Sequence, residues 1–226
     1  MEQQHYLNMI AAEAAKSGHQ RLVMSMIERG ARDYNTIAAY AAWGGHRGLI
    51  ASMIERGARD IDKIAVFAAI GAHNDLTIEL VEMGATNLDQ IAAEAAFRGN
   101  TELMMDMLER RAHDYDLIAQ GAASGGHRDI VLYLLVQGVS DYQSVVEEAA
   151  RGGYRELTSE LVMLATYNGQ TSLDLGAIAG EAAAGGHRQI VYDLIRLGAS
   201  GLENIAYRAL AEGHVDLAIE IDNMRQ

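Results

Sequence analysis

Residues 33–58 read DYNTIAAYAAWGGHRGLIASMIERGA, and this stretch returns with variations along the whole chain. Its Ile-Ala opening stands at Ile37, and the matching positions are Ile10, Ile64, Ile91, Ile118, Val145, Ile178 and Ile205. Successive positions lie 27 residues apart, except that Val145 and Ile178 are separated by 33. A fixed period of this size implies a solenoid, because one such unit is too small to bury its own apolar face and must stack on its neighbours. The six extra residues are expected to form one longer connection near residues 166–174.

Within the unit, Asp33 is a predicted N-cap, a role its carboxylate fills by accepting from the free N–H groups of the first turn. Asp60, Asn87, Asp114, Asp141 and Asp174 share that slot. Ile37, Ala38, Ala41 and Ala42 then form a helical stripe of small residues that lets neighbouring helices approach closely. Gly44-Gly45 ends the helix, and a second helix carries Leu49, Ile50, Met53 and Ile54 on one face. Gly57 is predicted to stop it at a left-handed C′ position, with Gly30, Gly84, Gly138 and Gly198 as counterparts. Each repeat is therefore a hairpin of two antiparallel helices, each about ten residues or 15 Å long.

The departures from this pattern carry expectations of their own. Repeat four has Gly99-Asn100 for Gly-His and Arg111 in the C′ slot, which predicts a changed helix ending, since a non-glycine residue pays about 1 kcal/mol in the left-handed region. Repeat six has Tyr154 in the histidine slot and Ala165 in the glycine slot, so its second helix is expected to run on to Gly169. Repeat one has Tyr6 where others have an Asp cap, and Met1 to His5 are polar, as in a capping end that faces water. Repeat eight is expected to close the array with the charged residues Glu220 and Asp222.

The run AAxGGHxxIVxxxxxxGA, seen best at residues 122–138 and 182–199, resembles the core of the ankyrin repeat. That resemblance implies an all-α, right-handed solenoid of eight helix-turn-helix units forming one continuous domain over residues 1–226. First helices would line the concave side, and the turn histidines would bond to a neighbouring turn. The ankyrin Thr-Pro-Leu-His start is replaced by Asp-Tyr-Asn-x-Ile-Ala, and each unit is six residues short of the usual ankyrin length of about 33, so the projecting β-hairpin is abbreviated. Shortened arrays of this kind resemble those of giant DNA viruses that infect amoebae, which implies a viral protein in the host cytoplasm. A consensus-like engineered scaffold fits the same regularity.

Composition narrows the partners. The formal charge of −13 disfavours nucleic acid and anionic membrane and leaves basic or apolar protein surfaces. Cysteine is absent, so there is neither a disulfide framework nor a thiol nucleophile. No apolar run reaches the length of about 18 residues needed to span a bilayer, and residues 1–20 do not read as a signal peptide.

His19, His46, His73, His127, His187 and His214 share one turn slot, about 10 Å apart at helix-packing distance, whereas zinc gathers its ligands within about 2 Å. The pairs Glu28-Arg29, Glu55-Arg56 and Glu109-Arg110 recur beside a helix C-terminus and read as a solvated face. No phosphate loop or nucleophile elbow occurs. The chain is therefore expected to be non-enzymatic, without metal or cofactor.

Three first-helix slots vary between repeats, and variable slots are those that stacking leaves free. The second holds Glu13, Tyr40, Phe67, Glu94, Gly121, Glu148, Glu181 and Arg208; the third, three residues on, starts with Lys16, Trp43, Ile70 and Phe97. The first holds Ala12, Ala39, Val66 and Ala93 at its start. The only tryptophan and both phenylalanines thus fall on adjacent repeats of one helix face. Tyr40, Trp43, Phe67, Ile70 and Phe97 are the expected apolar anchors of a protein partner, with Glu13 and Glu94 beside them to select a basic residue. The chain is expected to be a monomer; a self-associating module with the aromatics buried against a second copy is the alternative.

Overall fold

The computed structural model describes residues 2–168 and 173–225. They form α1 (Glu2–Lys16), α2 (Gln20–Glu28), α3 (Tyr34–Trp43), α4 (Arg47–Arg56), α5 (Ile61–Ile70), α6 (Asn74–Glu82), α7 (Leu88–Phe97) and α8 (Thr101–Glu109), followed by α9 (Tyr115–Ser124), α10 (Arg128–Gln137), α11 (Tyr142–Arg151), α12 (Arg155–Asn168), α13 (Leu175–Ala184), α14 (Arg188–Arg196), α15 (Leu202–Ala211) and α16 (Val215–Asn223). No strand occurs among the described residues, and the fold is an all-helical repeat of hairpins. Among these residues no helix is long and apolar enough to cross a membrane.

The chain divides into two compact units, residues 1–95 with 101–113, and residues 96–100 with 114–226. In the first, α1 packs on α3 and α3 on α5; in the second, α9 packs on α11, α11 on α13 and α13 on α15. The stacking residues are those of the small-residue stripe. Ile37, Ala38, Ala41 and Ala42 are fully buried, as are Ile178, Ala179, Ala182 and Ala183 in the other unit. Each buried isoleucine contributes about 1.5–3 kcal/mol relative to exposure. The alanines instead set how near the helices come.

Helix starts follow the sequence. The carboxylates of Asp33, Asp60, Asp114, Asp141 and Asp174 each accept from the backbone N–H three residues on. Asn87 departs from this: its amide nitrogen reaches Gln90, while its Oδ1 is buried without a partner. The second helices have a histidine at the N-cap, and it makes no capping bond. Its ring turns to the preceding repeat instead. Nε2 donates to the carbonyl of Lys16 from His46, of Trp43 from His73, of Phe97 from His127, of Arg151 from His187 and of Ala184 from His214, at 2.8–3.1 Å.

That contact explains the glycine pair. A Cβ on Gly44 would lie 2.1 Å from the Lys16 carbonyl oxygen, and one on Gly45 would lie 2.7 Å from the His73 ring. The rings of His46, His73, His127 and His187 therefore lie over a glycine of their own turn and one of the turn before, and that of His214 over Gly186. Repeat six keeps the arrangement with Tyr154, whose ring covers Gly126 and Gly152.

At the C′ position Gly57 has φ 118°, and Arg111 in the same slot has φ 84°. The expected change of helix ending in repeat four does not occur. The N–H of Arg111 reaches Leu108 and that of Ala112 reaches Met107, as Gly57 and Ala58 reach Ile54 and Met53. The two backbone bonds and the burial of Ala112 hold the ending, and Arg111 bears about 1–2 kcal/mol of local strain. In repeat six, α12 runs to Asn168, 14 residues against nine or ten elsewhere among the second helices, as loss of the stop at Ala165 predicts. The longer connection expected near 166–174 falls mainly on residues 169–172, which lie outside the described residues.

Short connections are held by a device that the sequence reading did not single out. Asn8 Oδ1 accepts from the backbone N–H of Arg32 and Asp33, and Asn35 Oδ1 accepts from Arg59 and Asp60. Asp62 does the same for Thr86 and Asn87, Asp116 for Ser140 and Asp141, and Asp89 accepts from His113. The side-chain oxygen takes up donors that a β-hairpin would otherwise pair. Its signal was an Asn or Asp recurring every 27 residues, two after the cap.

The terminal repeats differ from expectation. α1 begins at Glu2 and runs straight through Tyr6, so no cap is needed there. Tyr6, Met9 and Ile10 are exposed, as are Tyr207, Leu210, Val215 and Ile219 in repeat eight. Charge lies on another side of α16, where Glu220 meets Arg188 and Tyr192. Of the exposed residues in the terminal repeats, Ile10 and Leu210 stand at positions that the other repeats bury.

Candidate partner-binding face

The slots three apart on α3 place Tyr40 and Trp43 on one side of that helix, and α5 places Phe67 and Ile70 beside them. The rings form a triangle. Tyr40 and Trp43 have centroids 5.8 Å apart at 69°, Tyr40 and Phe67 5.5 Å apart at 33°, and Trp43 and Phe67 6.0 Å apart at 81°. All three rings and Ile70 are half-buried. The rings pack on one another and remain partly exposed, so they belong partly to the core and partly to the surface.

Lys16 extends from α1 with its Nζ 3.1 Å from the Trp43 ring centroid, a cation–π contact. Glu13, one turn earlier on α1, is exposed, and Glu94 is half-buried on α7 in the same unit. Phe97 belongs to the second unit and is 43% exposed. The first variable slot is mixed: Ala12, Ala39, Val66, Ala93 and Gly180 are buried, Gln120 and Glu147 are half-buried, and Tyr207 is exposed.

In the second unit the same two slots hold ions. Glu181 of α13, 7% exposed, receives Nη2 of Arg151 from α11 on one oxygen and Nη2 of Arg208 from α15 on the other. In the sequence this triad stands as opposite charges on the variable slots of adjacent repeats. On the second helices, Arg47 grips Glu79 through two bonds of 3.0–3.1 Å and Arg128 grips Glu160 through two of 2.5–2.6 Å. Arg155 reaches Asp193 and Arg188 reaches Glu220 through a single contact each. The Arg47 and Arg128 guanidiniums hold the Glu79 and Glu160 carboxyls below their ordinary values. These pairs are exposed and screened by water, so they add little to stability.

Burial favours the protonated form of Asp116, but the Ser140 hydroxyl and the N–H groups of Asp141 and Ser140 outweigh it and lower the carboxyl. Among the described residues no three His, Asp or Glu side chains converge as a metal set. The turn histidines spend their rings on the carbonyl bonds already described, and the Glu-Arg pairs at 28–29, 55–56 and 109–110 are exposed.

These features define an all-helical repeat protein with a decorated first-helix face. Among solved structures, the crystal structure of the human ASB11 ankyrin repeat domain is similar, at 21% identity and a TM-score of 0.47, covering 68% of this chain and 82% of that one. That domain is human, so it lends nothing to the expectation of a viral source. No family model matches the chain, and no curated protein matches it in sequence.

Proposed function

We propose that the chain is a non-enzymatic protein-interaction module that receives a partner segment on the face formed by Tyr40, Trp43, Phe67 and Ile70. The observation that carries this reading is the aromatic triangle itself, packed ring on ring and still partly exposed. Stacking is complete without it, because the Ile and Ala framework is already buried. Large aromatics grouped at the centre of a surface are the side chains that carry binding energy, at about 2 kcal/mol or more on truncation.

The partner segment is apolar with a basic residue. Lys16 already shows that the Trp43 face accepts an ammonium, and Glu13, Glu94 and the chain's charge of −13 attract cations. By resemblance to ankyrin repeats this is the concave side. Trp43 is the only tryptophan, so its emission reports the site directly. Random peptides selected on the full chain and counter-selected on Trp43→Ala should be enriched in Arg or Lys beside apolar residues, and should shift Trp43 emission. Binders indifferent to Trp43→Ala would overturn the site.

Self-association is a second reading, favoured by the exposed apolar residues Tyr6, Met9 and Ile10 in repeat one and Leu210, Val215 and Ile219 in repeat eight. Ile10 and Leu210 occupy positions that other repeats bury, and the remaining residues are exposed apolar side chains beside them. Sedimentation at several concentrations separates the two: a concentration-independent monomer excludes it.

A further inference from the structure

Around Glu181 the second unit shows a built arrangement that its structural role leaves partly unused. The carboxylate is nine-tenths buried and is shared by two guanidiniums from adjacent repeats. Each arginine gives Glu181 one N–H of its five, so most donors of Arg151 and Arg208 remain for other acceptors. Their side chains are 52% and 33% exposed. Both line an open cavity of about 400 Å³, together with Tyr207, Glu212 and the turn at Ala184 and Gly185.

Arg208 also lies against a glycine. Gly180 lies inside α13 with helical backbone, where glycine costs about 0.8–1 kcal/mol relative to alanine. Its missing side chain clears the Arg208 stem, since a Cβ there would lie 2.9 Å from Arg208 Cδ. A side chain at position 180 would have to share this space with the Arg208 stem.

We propose that Arg151 and Arg208, oriented by Glu181, form a docking site for a carboxylate of an acidic peptide segment. The two guanidiniums offset Glu181 and the lining Glu212, so the cavity carries no surplus charge and a carboxylate would be held there by their unused N–H donors. Glu212 stands on the rim, exposed and without an ion pair among the described residues, so water screens it. Charge-assisted bonds to a planar carboxylate are the strongest that a guanidinium makes. The rest of the chain repels anions, with its charge of −13, so saturable binding of an acidic peptide must be local.

Fluorescence anisotropy of the full chain with a labelled peptide of alternating Glu and Ser, against its Gln-Ser analogue, tests this. The acidic peptide should bind saturably and the neutral one about tenfold more weakly or not at all. Arg208→Ala and Arg151→Gln should each weaken it by about fivefold or more, and Glu212→Gln should tighten it. Trp43→Ala should leave it unchanged, which keeps this site separate from the aromatic face. Should Arg208→Ala fail to fold, the exposed Arg151→Gln decides. Absence of saturation, or an acidic-peptide affinity that Arg151→Gln does not alter, would overturn the proposal.

Discussion

On one pair of first-helix slots the first unit carries Glu13 and Lys16, Tyr40 and Trp43, Phe67 and Ile70; the second carries Glu148 and Arg151, Glu181 and Ala184, Arg208 and Ala211. One set packs rings edge to face, and the other joins three repeats through a shared carboxylate. The backbone beneath is the same in both: capping Asp, buried Ile-Ala stripe, and a ring over paired glycines. Dispersion and ion pairing are thus alternative fillings of one frame. The frame itself depends on neither.

The largest effects should come from attacking what the units share. Gly44→Ala brings a Cβ to 2.1 Å from the Lys16 carbonyl, and Gly185→Ala brings one to 2.4 Å from the Arg151 carbonyl. Each should cost about 3 kcal/mol, or roughly 6–12 °C in a chain of this size. Thermal unfolding of both variants measures this, and a large cost in one unit only would break the equivalence.

Substitutions on the slots should cost less and should differ by unit. Glu181→Gln removes the charge that two arginines share and should lose about 1.5–3 kcal/mol, much of it relieved at high salt because the arginines are half-exposed. Trp43→Ala should lose about 1–2 kcal/mol with only a small salt dependence, since its ring–ring contacts do not screen and only the Lys16 cation–π contact is electrostatic. Urea titrations at low and high salt would sharpen the contrast; a Trp43→Ala as salt-dependent as Glu181→Gln would dissolve it.

Acid should separate the clamps as well. The Asp116 carboxyl is lowered in the fold, so its contribution is present above the ordinary carboxylate range and is lost as pH falls through the folded value. Asn35 holds the same bonds without titrating. Amide protection at Ser140 and Asp141 should fall on acidification while that at Arg59 and Asp60 holds, and Asp116→Asn should abolish the difference. Smallest of all, Arg111→Gly should stabilise the first unit by about 0.5–1 kcal/mol by relieving a left-handed arginine, and a denaturation midpoint that does not rise would refute the strain.

The repeat, the caps and the left-handed stops were legible because each rests on one residue type with one local use. Asp33 caps and Gly57 stops wherever they recur. The ending at Arg111 was misread because local propensity was weighed without the backbone bonds and the burial of Ala112 that override it. The aromatic face was legible as a group of slots, but half-burial of its rings depends on how closely the helices approach, which spacing does not reveal. The Glu181 triad required knowing that Gly180 leaves room for an arginine from the next repeat, a fact of three dimensions.

The histidine bond has a consequence for how such a chain can diverge. Its acceptor is the main-chain carbonyl of the residue ending each first helix, and that residue is lysine, tryptophan, phenylalanine, arginine or alanine in five repeats. The tether reads the backbone at that position and is blind to the side chain. A duplicated unit therefore inherits its attachment complete and is free at once to rewrite that side chain. Randomising positions 16, 43, 151 and 184 together would yield a library whose members keep the fold while differing in what they recognise.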